Sequence, residues 1–318
     1  MSILDQIAKE AGVSAMTVAR VLKGERSYAR PSAELRARSI REIAARFHYR
    51  PSQAAKAVRT GRFGALALII PELAEGGRLS TELLDGILAE TEARDLLLNI
   101  SRAVAGDTRP ARLWRERSAD GQLLVGALSG VPGLPAVTLG RRDAGDCVVP
   151  DECGAGRQAT ALLRRLGHRA IAFIGRPGDW AVDERRAGYL QALEGAAPLV
   201  VEPREADRFA WAKRLLATPN RPSAVVCGAT GDAVPVLMAA SELGIQVPQA
   251  LSVIAIDTEE VVVQLGFTPT RIALPFYEIG RLGVARLCAK IAEPDAVLPP
   301  QTVPFTLRDG GTCAPPAG

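Results

Sequence analysis

The N-terminal stretch alternates apolar and polar positions with a helical period. Leu4, Ile7, Ala8 and Ala11 fall at i, i+3, i+4 and i+7, on one face of a short helix. Gly12 ends it, Ser14 offers the next N-cap, and Val18, Val21 and Leu22 form the apolar face of a second helix. A third pattern, Ile40, Ile43, Ala44 and Phe47, closes at "HYRPS", where Pro51 forces the preceding residue out of helical geometry. Residues 1–51 therefore read as one small helical domain. The following "SQAAKAVRTGR" (52–62) carries too little apolar area to fold alone and is expected to be a hinge that orders against a partner.

From Gly64 the pattern changes to short apolar runs: "ALALII", "LLLNI", "GQLLVGAL", "PAVTLG", "AIAFIG", "PLVVE", "SAVVCG" and "LSVIAID". Helical periodicity lies between them, near 80–94, 152–166, 183–195, 207–217, 231–244 and 276–292. Strands covered on both faces by crossover helices read this way, which predicts doubly wound parallel α/β sheets. So many strands exceed one compact sheet, so residues 63–308 are expected to form two lobes with a ligand cleft between them. The tail, 309–318, with "GTCAPPAG", is expected to be disordered.

Composition narrows the class. Of the 318 residues, 47% are apolar and 23% charged, and no apolar run reaches the ~18 residues of a membrane span. The opening "MSILDQIAKEAG" lacks the basic-then-apolar order of an export signal, so the expected location is the cytoplasm, with no membrane partner. Five scattered cysteines without a C-x-x-C pair point to reduced thiols and to no metal site. Charge is the informative quantity. Residues 1–62 hold thirteen Lys or Arg against five acids, a net +8, leaving 26 basic and 30 acidic residues, a net −4, on the rest. A basic head on an acidic body is the electrostatic footprint of nucleic-acid binding.

A recognition helix must turn its first residues toward base edges while its other face packs on the preceding helix. Ser14, Ala15, Met16, Thr17 and Arg20 are the candidates. Arg20 suits a phosphate or a bidentate contact to guanine, Thr17 a phosphate oxygen, and Ala15 and Met16 an apolar contact such as a thymine methyl. Catalysis has little support: there are two histidines, His48 and His168, neither beside a plausible nucleophile in the sequence, and no G-x-S-x-G, P-loop or G-x-G-x-x-G after a strand. No catalytic residue and no cofactor are expected.

The stretch "LDQIAKEAGVSAMTVARVLKG", followed by "YRPSQAAKAVRTGRFGALALIIPE", resembles the lactose-repressor (LacI/GalR) family of bacterial transcription regulators. The likeness continues through "DECGAGRQATALLRRLGHRAIAFIG", "ERRAGYLQAL", "LGIQVPQALSVIAID" and "PFYEIGRLGVARL". It implies an all-α helix-turn-helix head and a two-lobed, periplasmic-binding-protein-like core. It also implies a homodimer, its order beyond two left open, that binds a near-palindromic operator and senses a small molecule; Arg185 as a planar donor fork and Asp151 as an acceptor suit a small sugar or sugar acid. The alternative function is a DNA-binding regulator whose core is a dimerisation scaffold without a ligand.

The resemblance places Ser52, Ala55, Lys56 and Val58 of the hinge on DNA, with Val58 where family members usually carry a leucine wedge. It places Asp151, Arg185 and Asp257 at the effector, although helix N-cap, ion pair and turn are ordinary structural roles for the same residues. Several positions depart from the family. Ala229 and Thr230 replace an Asn-Asp pair, Ile256 replaces an acid, Leu274 replaces a glutamine, and "EGGRLS" stands in for an aromatic run. These changes predict a pocket more apolar on one side. Between Arg20 and Pro51 the spacing exceeds the usual one, whereas Asp120 to Gly140 is compact.

Overall fold

A computed structural model of the chain describes residues 2–22, 31–49, 57, 61–71, 79–103, 118–126, 128, 130–142, 145–202, 208–257, 269–296 and 298–316. It divides into two compact units, 1–64 and 65–318.

The first unit is built from α1 (Ile3–Glu10), α2 (Ala15–Leu22) and α3 (Pro31–Arg46). Ser2 caps α1 reciprocally: its Oγ accepts from Asp5 N at 3.2 Å, and the Asp5 carboxylate accepts from Ser2 N at 3.0 Å. Gly12 turns the chain at φ 64°, a conformation open to glycine at no steric cost. The third helix is longer than the apolar pattern predicted, since it starts at Pro31 rather than near Ile40. Proline suits a first helical position because its missing N–H would lack a partner there. Ile7, Val18 and Ile40, all fully buried, join the three helices in one core.

The second unit holds two six-stranded sheets. In chain order its elements are β1 (Ala65–Pro71), α4 (Thr81–Ala93), β2 (Leu97–Ala103), β3 (Gly121–Val125), β4 (Ala136–Leu139), β5 (Cys147–Pro150), α5 (Glu152–Arg165), β6 (Ile171–Ile174), α6 (Trp180–Ala192), β7 (Leu199–Val201), α7 (Arg208–Leu216), β8 (Ala224–Cys227), α8 (Thr230–Glu242), β9 (Ser252–Asp257), β10 (Thr270–Ala273), α9 (Phe276–Ala292), β11 (Gln301–Val303) and β12 (Thr306–Arg308). The N-terminal lobe has strand order β11-β5-β4-β3-β1-β2, all parallel. The C-terminal lobe has β12-β10-β9-β8-β6-β7, where only β12 runs antiparallel. Strands such as β6 and β8 are buried at every position, as a sheet covered on both faces requires.

The chain crosses between lobes three times: from β5 into α5, from β10 into α9, and from β11 into β12. Phe276, just past the second crossing, packs against the cores of both lobes. Asp151 N donates to Val303 O at 3.3 Å and so ties the first crossing to the third.

Four strands escaped the sequence reading. They are β5, β10, β11 and β12, of three or four residues each, and β11 and β12 are edge strands that carry no apolar run. The compact segment from Asp120 to Gly140 has a specific form. Strands β3 and β4 are parallel neighbours, yet the described residues between them contain no helix. The buried Gln122 side chain braces this turn instead, donating to Val131 O at 2.9 Å and Leu134 O at 3.0 Å and accepting from Val131 N at 2.9 Å.

The expectation of a disordered tail is corrected by its described residues, which run to Pro316. Thr312 Oγ1 donates to Val253 O at 2.6 Å and accepts from Thr270 N at 2.9 Å, and Val253 N donates to Thr312 O at 2.8 Å. Glycine and proline leave a segment without a helix or a strand, but its polar groups still find partners along the sheet. His168 completes the attachment from the turn before β6. Its Nε2 lies 2.9 Å from Ala314 O and 3.0 Å from Ser252 Oγ, and Nδ1 lies 2.9 Å from Ser223 Oγ. A carbonyl only accepts, so Nε2 carries the proton and Nδ1 accepts from Ser223. Two serine hydroxyls thus do lie beside this histidine, but it is buried and its proton is held by a main-chain carbonyl, which is a packing role.

Burial holds the His168 pKa below its ordinary 6.5, outweighing the opposing bond to Ala314. The folded chain therefore binds this proton less readily than the unfolded chain. Stability from the neutral ring is complete above about pH 6.5 and declines as pH falls from there toward the lower folded pKa. Melting curves from pH 7.5 down to about 5.5 should show a loss of Tm in the wild type that is shallower in His168→Gln.

Candidate functional site

In the first unit the site follows from the split faces of α2. Val18 is fully buried and Val21 nearly so, whereas Met16 is 69% exposed and Arg20 is exposed. Ala15 and Thr17 are half-buried. Ser14 starts the helix as its cap: its Oγ accepts from Thr17 N at 3.2 Å and lies 2.9 Å from Thr17 Oγ1. Met16 and Arg20 are four residues apart, one above the other on the open face, where a helix entering a groove would present them. On α3 the exposed Arg36, Arg38, Arg41 and Arg46 keep the unit basic, and Arg46 bridges to Glu10 of α1 at 2.5 Å. Ser52, Ala55, Lys56 and Val58 lie outside the described residues.

In the second unit, the candidates gather where the C-terminal lobe begins. Asp151 caps α5, its Oδ1 accepting from Gly154 N at 2.9 Å. The next residue, Glu152, was not among the candidates, yet it makes the principal contact here. Its carboxylate receives Arg185 side-on: Nε to Oε2 at 2.6 Å and Nη2 to Oε1 at 3.0 Å, with both side chains buried. Arg185 Nη1 also donates to Gly228 O and, at 3.4 Å, to Ile256 O. Those carbonyls lie at the C-terminal ends of β8 and β9, the edge where open α/β sheets bind ligands. Asp257 ends β9, in register with Ala273 of β10.

The helices that carry this pair approach closely because two glycines allow it. A Cβ on Gly156 of α5 would lie 1.9 Å from Arg185 O, and one on Gly188 of α6 would lie 1.9 Å from Cys153 O. Glu152 had a weak signal in the sequence, as an acid in the first turn of a helix. Its pairing with Arg185, 33 residues away, depends on the α5–α6 packing.

Of the residues that depart from the family pattern, Ile256 and Leu274 are buried within the C-terminal lobe's core. They pack inward, so neither makes a pocket wall more apolar. Ala229 occupies the N-cap position of α8 without a side-chain bond. Among the described residues no three His, Cys, Asp or Glu side chains cluster, and no helix is long and apolar enough to cross a membrane.

Comparison with known proteins agrees with both units. Residues 3–52 match the model for bacterial regulatory proteins of the lacI family, and residues 160–313 match the periplasmic binding protein-like domain. The HTH-type transcriptional repressor PurR of Yersinia pestis is 26% identical over 317 residues, which span 92% of this chain and 91% of that one. A LacI family transcriptional regulator from Mycobacterium smegmatis matches at 28% identity and a TM-score of 0.65, over 79% of this chain and 100% of that one. The structure of the lac repressor dimer bound to operator and the anti-inducer ONPF has the same fold, with a TM-score of 0.77 at 20% identity over 99% of each chain.

The cap at Ser14 orders the exposed turn of α2, so Ser14→Ala should lower the stability of the N-terminal unit by about 1 kcal/mol. Its thermal or denaturant transition, followed by helical circular dichroism on residues 1–64, checks this; an unchanged midpoint would remove the cap from the account.

Proposed function

Because the chain belongs to the lacI family of bacterial regulatory proteins and is a DNA-binding transcriptional regulator, we propose that it acts in the cytoplasm as a homodimeric repressor of a near-palindromic operator, under control of a small sugar-type effector. The observation that carries this reading is the exposed Met16 and Arg20 edge of a helix whose opposite face is locked into a three-helix core. Arg20 supplies the one strong donor fork there, so it carries most of the specificity, with Ala15, Met16 and Thr17 adding apolar and phosphate contacts. Ser52, Ala55, Lys56 and Val58 follow as hinge contacts, with Val58 the shorter wedge.

Dimerisation has a surface suited to it. Phe209, Val234, Leu237, Met238 and Val247 line an apolar groove of about 680 Å³ on the C-terminal lobe, and Met238 is 55% exposed. The effector enters between the lobes, beside Asp151, Arg185 and Asp257, and a change in lobe closure moves the two heads relative to each other. A second reading has its own support: Asp151 and Arg185 are already bonded within the chain, as they would be in a core that serves only as a scaffold.

Two measurements test these assignments. Operator sites selected from a random library should be bound with a log affinity that falls by about 0.9 per phosphate contact for each unit of log salt. Arg20→Ala should remove most of the specific affinity, while Met16→Ala shifts base preference at one or two positions by about 1–3 kcal/mol. An unchanged operator profile in both variants rejects α2 as the reading helix.

For the core, a thermal-shift panel of neutral sugars, sugar acids and sugar phosphates separates the two readings. A true effector at a hundredfold excess over its Kd stabilises the native state by about 2.7 kcal/mol. Silence across the panel favours the scaffold.

A further inference from the structure

The contact between Arg185 and Glu152 has the geometry of a bound ligand. A guanidinium presents parallel N–H donors that match both oxygens of a carboxylate, and proteins use this fork to hold acidic ligands. Here the Nε and Nη2 edge holds Glu152 at 2.6 and 3.0 Å, while Nη1 is turned to the carbonyls of Gly228 and Ile256. The place that an external anion would take at the ends of β8 and β9 contains a carboxylate belonging to the chain.

We propose that Glu152 is a built-in ligand of Arg185 and a specificity-determining residue, which closes the fork to anionic effectors and leaves the core selective for neutral ones. The occupancy of the fork stands on the geometry alone; only the consequence for effector choice rests on the function proposed above. The competition is unequal. Glu152 opens α5, and α5 is held against α6 at backbone contact through Gly156 and Gly188, so its carboxylate meets Arg185 as an intramolecular partner at high effective concentration. A free sugar acid or phosphate must displace it and leave a second charge buried without its partner. A neutral polyol meets no such barrier, because hydroxyls need only hydrogen-bonding groups.

Removing the internal carboxylate should open the fork to an external one. Glu152→Ala leaves a buried guanidinium beside a space of carboxyl size, so its Tm should fall, and formate or acetate should restore it saturably while chloride at equal ionic strength does not. The wild type and the double variant Glu152→Ala/Arg185→Met should give no such response. In Glu152→Ala, binding of gluconate by isothermal titration should appear where the wild type shows none. If Glu152→Ala is recovered unfolded, refolding in formate against chloride reads the same fork. Glu152→Gln, which keeps the volume, should stay folded and gain no response to formate.

Failure of formate and acetate to rescue Glu152→Ala, or gluconate binding by the wild type that Arg185→Met abolishes, overturns the proposal. A wild type that binds no sugar at all, with formate rescue intact, overturns the effector reading and leaves the internal ligand standing.

Discussion

A guanidinium and a carboxylate buried together at the end of a parallel sheet set the terms for the C-terminal lobe. Each ion gives up several kcal/mol of hydration on burial, which is recovered only when donors and acceptors meet in good geometry. Side-on pairing of Arg185 with Glu152, plus the carbonyls of Gly228 and Ile256, meets that condition. It also requires α5 and α6 to touch along their backbones, and glycine at 156 and 188 permits the contact. The pair therefore links two helices to two strand ends at the edge where the function is proposed to lie.

The three crossings give that edge its mechanical setting. Asp151 sits at the first of them, capping α5 with its side chain while its backbone N–H reaches Val303 beside the third. Phe276, at the second, packs into both lobes. Far from this edge, His168 and Thr312 secure the C-terminal segment to the sheet through main-chain acceptors, so the chain end is part of the lobe's structure.

The head follows a simpler principle. Its core takes one face from each of three helices, which leaves the other face of α2 open and the surface basic. Long-range attraction to phosphate needs only the charge, whereas discrimination among bases needs a few side chains held at fixed angles on a capped helix. Ser14 and the packed valines hold α2 in place, and Met16 and Arg20 stand on its exposed face, where base reading is proposed.

Much of this was legible in the residues because it depends on local periodicity. The helix faces of the head, the buried strands with their crossover helices, the cap at Ser14 and the concentration of charge in 1–62 all follow from spacing and composition. Edge strands such as β11 and β12 were not legible, because they carry no apolar run and their partners lie far along the chain. The tail was misread for the same reason: its glycines and prolines describe a chain without a regular element, not one without hydrogen-bond partners. Arg185 and Asp151 could be marked as polar residues of interest, and a helix cap was foreseen for Asp151, but the partner of Arg185 was not. By itself the sequence determined which faces would be buried and where charge would collect, since both are properties of neighbours along the chain. Only the tertiary structure decided that Arg185 meets Glu152 and that Ile256 and Leu274 point into the core, because each depends on how separate helices and strands pack.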